Sequence, residues 1–223
     1  MNHSVTKKSW LLLTVLGLIW GSTFMIIELA LKGVTPFWLA AARISIAAVI
    51  TNIIWFFSKK QLFQTQSKDW PTLIFSGVFA TAAPFIALSW GQQYVTSAFA
   101  GISMASVALL VLPLSYLFVT SEKITTTTVL GIFCGFCGVF ILLGPEVFMA
   151  SNDAREKYGR LACLFATFCY ATSAVLTRRL PPIDPIGLAA VSLTSGAIFV
   201  IPAAWLIEGG PPIVSKQTLF YLF

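Results

Sequence analysis

The chain has 223 residues, of which 57% are hydrophobic and only 10% carry a charge. A soluble domain carries about 25% charged residues, so a water-soluble surface cannot be built from this composition. The net charge of +6 does not signal nucleic acid, because the lysines and arginines flank the apolar runs and build no basic patch.

Seven apolar stretches are long enough to span a bilayer, at about 20 residues each. They cover roughly 10–31, 36–57, 70–90, 94–120, 125–144, 158–179 and 185–207, and an eighth begins at "SKQTLFYLF". The fold class is therefore an all-α polytopic membrane protein: open strands leave backbone groups unsatisfied in lipid, and these runs are too long and continuous for barrel strands. The first stretch follows Lys7 and Lys8. It exceeds the core of a signal peptide and no small-x-small cleavage site follows it, so it reads as an uncleaved helix. At its mid-depth stands "LIWGSTF" at 18–24, a small polar cluster behind a Trp.

The second stretch starts at Pro36 and holds Arg43; Pro71 opens the third and Pro185 the seventh. Proline suits a first helical turn, where the missing N–H is harmless. Pro84, Pro113 and Pro202 fall inside spans and predict bends. Gly144-Pro145 is a plausible stop for the fifth helix. With the N-terminus inside, eight Lys and Arg fall in inner segments and five in outer ones, with Arg43 left inside a helix. The positive-inside rule thus predicts a cytoplasmic N-terminus.

The segment at 19–45 aligns with that at 169–194. Trp20 falls on Tyr170, Ser22 on Thr172, Thr23 on Ser173 and Pro36 on Pro185, and Leu39-Ala40-Ala41 falls on Leu188-Ala189-Ala190. The period is about 149 residues and covers five helices, which divides the chain into a first repeat at 1–146, a loop at 147–157 and a second repeat at 158–223. A unit with an odd number of spans must insert upside down the second time. Inverted repeats are typical of secondary transporters. A complete second repeat extends to roughly 300 residues, so a truncated or incomplete chain is expected.

The stretch holding Trp20, Gly21, Ser22, Phe24, Pro36 and Arg43 resembles the opening of EamA-type members of the drug/metabolite transporter superfamily. Residues 94–144 resemble that family's fourth and fifth helices, through the Tyr94 start, Pro113, Glu122-Lys123 and a Gly-rich fifth helix. The resemblance implies ten helices in two inverted five-helix bundles around a central cavity, of which about seven and the start of an eighth are present. It also implies export or uptake of small metabolites, amino acids, nucleoside-like compounds or drugs across the cytoplasmic membrane. Leu112 stands where many members carry an acidic residue.

Several residues are candidates for function. Glu28 and Arg43 lie within adjacent helices, where a charge costs roughly 2.5–3.5 kcal/mol near the bilayer centre and usually finds a partner or water. Antiparallel neighbours at similar depth can pair, so they read as an ion pair or as charges in an outer vestibule. Trp20, Ser22 and Thr23 on helix 1, and Tyr170 and Ser173 on helix 6, are expected to approach one another across the pseudo-twofold axis, as packing or as cavity wall. Trp90 belongs to a polar-aromatic turn with Gln92, Gln93 and Tyr94, and Ser103 and Ser106 share a face of helix 4. Gly131, Gly135 and Gly138 form a small-residue face suited to helix contact or a homodimer.

Cys134 and Cys137 match C-x-x-C but lack a βαβ context, so they read as small packing residues. The lone histidine, His3, lies in the tail. No metal-binding, nucleophile-elbow or phosphate-loop motif is present, so no enzyme, cofactor or metal site is expected. The expected partners are a small-molecule substrate and the lipid bilayer. The alternatives are a non-transporting fragment or scaffold and a seven-helix receptor; a receptor normally places its N-terminus outside and does not repeat after five helices.

Overall fold

The structure, a computed structural model, describes residues 7–58, 67–118, 125–143 and 154–213. The start of the eighth helix, Glu122-Lys123, Gly144-Pro145 and His3 lie outside the described residues. Seven apolar helices follow in order: α1 Lys7–Ala30, α2 Pro36–Ser58, α3 Trp70–Gly91, α4 Ser97–Phe118, α5 Thr126–Leu143, α6 Ala154–Arg178 and α7 Pro185–Glu208. Six are long and apolar enough to cross a membrane, and α5 is a shorter apolar helix. Its start is fixed by Thr125, whose hydroxyl accepts from the Thr128 amide at 3.2 Å.

Helix starts are capped locally. Thr96 Oγ1 accepts from the Phe99 amide at the head of α4. Asp184 Oδ2 accepts from the Ile186 and Gly187 amides, both at 3.1 Å, and so opens α7 just before Pro185. Gly209 ends α7 in the left-handed region, at φ 79°.

Two helices are broken. α3 divides into Trp70–Ala80 and Ala82–Gly91 at Thr81, whose φ of −130° and ψ of −78° are not helical. Pro84 has no N–H for the Ala80 carbonyl, so the expected bend appears as a break one turn earlier. The Thr81 hydroxyl restores a bond, donating to the Gly77 carbonyl at 2.8 Å. α4 divides into Ser97–Ala105 and Val107–Phe118 at Ser106, seven residues ahead of Pro113. Here the Ser103 carbonyl accepts from the Ser106 amide and from the Thr167 hydroxyl of α6, both at 3.1 Å.

Small residues let the helices pack closely. Ala40, Ala41 and Ile44 of α2 meet Ala82 of α3 and Val200 and Ala204 of α7 in one cluster. Ala87 and Leu88 of α3, Ala100 of α4, and Cys163 and Ala166 of α6 form a second. Ile27 and Ala30 of α1 pack on Val34 and Leu39 at the head of α2. At the crossing of α3 and α7, a Cβ on Gly77 would sit 2.8 Å from the Ser192 Cα, and one on Gly196 would fall on Thr81 Oγ1. Any side chain at either position pushes the helices apart.

α2 and α7, which the sequence alignment equates, pack on each other along their length. Their ends show the direction. The Glu208 carboxylate, at the end of α7, accepts from the Phe37 and Trp38 amides at the start of α2, both at 3.1 Å, and from the Thr35 hydroxyl. Trp38 Nε1 donates to the Gly209 carbonyl at 3.0 Å, and Asn52 donates to Thr194 Oγ1 at 2.8 Å further along. The two matching segments therefore run antiparallel.

A polar interior within an apolar bundle

Three carboxylates near helix ends, Glu28, Glu208 and Asp184, are engaged with backbone amides. Glu28 is exposed, and its Oε2 accepts from the Ser97 amide, at the first residue of α4, at 3.1 Å. Glu208 caps α2 and Asp184 caps α7. A helix N-terminus is the positive end of its dipole and holds anionic groups well. The expected ion pair between Glu28 and Arg43 is not formed, because Glu28 points toward α4 and away from α2.

Arg43 is partly buried on α2. Its guanidinium lies over the Phe85 ring of α3, 5.9 Å from the centroid. Among the described residues it has no carboxylate within 4 Å and no hydrogen-bond acceptor. Tyr170 of α6 packs on the cluster around Ala87 and Cys163. The Tyr170 hydroxyl also has no hydrogen-bond partner among the described residues.

The helix-1 cluster is arranged differently from expectation. The hydroxyls of Ser22 and Thr23 donate back to the Ile19 carbonyl of their own helix, at 3.0 and 2.8 Å. Trp20 is 68% exposed. Phe24, one turn further on, packs on the cluster that Tyr170 joins and lies over Gly101. Phe24, and not Trp20, thus joins the cluster to which helix 6 contributes. The first half of α4 packs on α1, α6 and α5, and its second half, past the break at Ser106, on α6 and α5.

Helix 6 takes its hydroxyls inward. Ser173 donates to the Ser76 carbonyl of α3 at 2.8 Å. Ser103 is fully buried and Ser106 nearly so, against the α6 side of α4. Trp90 stacks edge-on with Tyr94, with centroids 5.1 Å apart. The neighbouring Gln92 donates to the Phe24 carbonyl of α1 at 2.9 Å. Three buried polar atoms have no hydrogen-bond partner among the described residues: Gln92 Oε1, Ser103 Oγ and Thr172 Oγ1. Of the α5 glycines, Gly135 receives the Leu109 side chain of α4, while Gly131 and Gly138 meet open space. No group of three or more His, Cys, Asp or Glu converges among the described residues.

An all-helical bundle with antiparallel matching segments and a polar interior is now defined. The EamA-like transporter family matches residues 7–144. The chain belongs to that family. Its relatives include the uncharacterized transporter YoaV of Bacillus subtilis, 25% identical over 87% of this chain and 65% of the relative. Two uncharacterized transporters of Archaeoglobus fulgidus are 26% and 28% identical, over 87% and 94% of this chain and 67% and 71% of their own lengths. The chain thus spans about two thirds of the curated relatives it matches. One solved crystal structure shares the fold, with a TM-score of 0.62 at 18% identity over 94% of this chain and 72% of the other. The protein is accordingly a multi-pass membrane protein of the EamA-like transporter family.

Phe24, Phe85 and Glu208 were not among the candidate site residues read from the sequence. Phe24 carries a signal, since it lies four residues after Trp20 on the same helical face. Glu208 shows only as a charge at the end of an apolar run.

Proposed function

We propose that this protein is a secondary transporter that moves a small metabolite through the interior of the bundle, driven by an ion or substrate gradient. The observation that carries the reading is polarity without protein partners inside apolar helices. Gln92 Oε1, Ser103 Oγ and Thr172 Oγ1 are buried and unpaired among the described residues. An unsatisfied buried polar atom costs about 1–3 kcal/mol, so a site that keeps several is offering them to something else. Membership of a transporter family supports the same reading, as does the break in α3, since interrupted spans frame the binding sites of many transporters.

On this reading Tyr170, Ser103, Ser106 and Ser173 belong to the inner wall. Trp90 stands at the outer turn. Trp20, Ser22 and Thr23 contribute on the other side of α1. The N-terminus is cytoplasmic.

The test is uptake into proteoliposomes carrying the protein expressed from its natural reading frame, with a panel of labelled metabolites. Accumulation that collapses when an ionophore removes the gradient is the expected result. Accumulation indifferent to every gradient would refute the secondary mechanism. Reporter fusions at the N-terminus should give a cytoplasmic signal, and a periplasmic or extracellular one overturns the topology.

A further inference from the structure

We infer that Glu208 is a proton-operated latch between α7 and the head of α2. Ionised, it holds the two helices together at this corner; protonated, it lets them part. The switch goes beyond the transport reading and does not depend on it.

Two helices of matching sequence begin in different ways. Pro36 aligns with Pro185, so Thr35 of α2 stands opposite Asp184 of α7. Asp184 caps its own helix by accepting from the Ile186 and Gly187 amides. Thr35 holds the same N-cap position, since its carbonyl accepts from the Leu39 amide at 2.9 Å, yet its hydroxyl donates to Glu208. The Phe37 and Trp38 amides, which match the two that Asp184 takes, also donate to Glu208, both at 3.1 Å. The head of α7 therefore carries its cap with it. The head of α2 has this cap only while the end of α7 is docked.

All three partners of the carboxylate are donors. The Phe37 amide meets Oε1, and the Trp38 amide and the Thr35 hydroxyl meet Oε2. A proton turns one of these oxygens into an O–H. On Oε1 it faces the Phe37 amide, and on Oε2 the Trp38 amide, so one α2 amide loses its acceptor in either case. The bonds that remain are neutral, and the attraction of a charge for the positive end of the helix is gone. The proton comes from water: Glu208 is half-buried, and Thr35 and Gly209 beside it are exposed. On the topology proposed above this corner faces outside, so the latch answers external acid.

The elements packed most closely on α7 are α2 and α3. Glu208 is the one ionisable residue of α7, and α3 has none. α2 contributes Arg43 and the turn before it Lys32, and both stay cationic as pH falls. Glu28, at the end of α1, is held by the Ser97 amide at the head of α4. Trp38 reports the state of the corner, because its Nε1 donates to the Gly209 carbonyl at 3.0 Å and its ring lies edge-on to Trp205.

The experiment takes purified protein in detergent from about pH 8 to about pH 4, the interval in which a carboxylate takes up its proton. Acrylamide quenching of tryptophan fluorescence should rise on acidification in wild type, and the rise should be lost in Trp38→Phe. Glu208→Gln, a neutral isostere, should start with raised quenching and show no further rise. Glu28→Gln should keep the acid response. Thermal unfolding gives a second readout. At the alkaline end Glu208→Gln should melt about 2–4 °C below wild type, and the gap should close at the acid end, because stability held by an ionised carboxylate is lost as pH falls.

A gap that stays constant over the whole range overturns the latch, as does an acid response that survives in Glu208→Gln. Wild-type quenching that stays flat overturns it alone, even should Glu208→Gln fail to fold. Each of these results leaves the transport reading standing.

Discussion

Replacing Glu208 by Ala tests the clasp between α7 and α2. The carboxylate accepts from the Phe37 and Trp38 amides at 3.1 Å and from the Thr35 hydroxyl. Losing an N-cap costs about 0.5–2 kcal/mol, and bonds to an ionised acceptor are roughly twice as strong as neutral ones. The corner is partly solvated, so the charged contribution is discounted, giving a loss of about 2 kcal/mol. At about 2–4 °C per kcal/mol for a chain of this size, Tm should fall by about 4–8 °C. Glu208→Gln keeps one acceptor oxygen and should lose about half as much.

The readout is thermal unfolding in detergent, followed by tryptophan fluorescence. Trp38 and Trp205 stand edge-to-face at the same corner, with centroids 5.8 Å apart, so local opening there should be visible. Thr35→Val should cost little once Glu208 is already Ala, because both act in one network. An Ala variant within about 1 °C of wild type would refute the assigned role of the clasp.

Two further substitutions address the packing. Gly196→Ala forces a Cβ against Thr81, and Gly77→Ala forces one against the Ser192 backbone, so each should cost about 1–3 kcal/mol in thermal unfolding. Gly17→Ala, with nothing within 4 Å of its Cβ position, is the control and should be neutral or slightly stabilising; equal losses at all three would sink the close-approach argument. Ser173→Ala removes the bond to the Ser76 carbonyl and should cost about 0.6 kcal/mol, up to about 1.7, in a denaturing-detergent titration.

Much of the architecture was legible because lipid makes a simple demand. A run of apolar residues bounded by Pro36 or Pro185 has few alternatives to a spanning helix, and α2 and α7 begin at those prolines. α6 starts four residues before the apolar run at 158, since Glu156 pairs with Arg160 one turn on and extends the helix into a charged segment. What sequence spacing does not carry is azimuth. Glu28 and Arg43 lie on consecutive helices, yet Glu28 turns to the head of α4. Trp20 and Phe24 share a face, yet only Phe24 has α4 opposite it, at Gly101. The break stands about two turns ahead of Pro113, where a hydroxyl of α6 bonds the Ser103 carbonyl.

The placement of α1 bears on how the chain is made. Residues 10–21 are exposed along the helix, and its contacts lie in its last turns, with the head of α2 and the first half of α4. While the ribosome is still building α4, α1 has only the head of α2 to pack on, at its last turns. Its hydroxyls permit this, because Thr14, Ser22 and Thr23 bond carbonyls of their own helix and ask nothing of a neighbour. α6 is the reverse case: Thr167 and Ser173 bond carbonyls of α4 and α3, helices already synthesised when α6 emerges. The order in which the spans leave the ribosome thus matches the order in which they can be left without company.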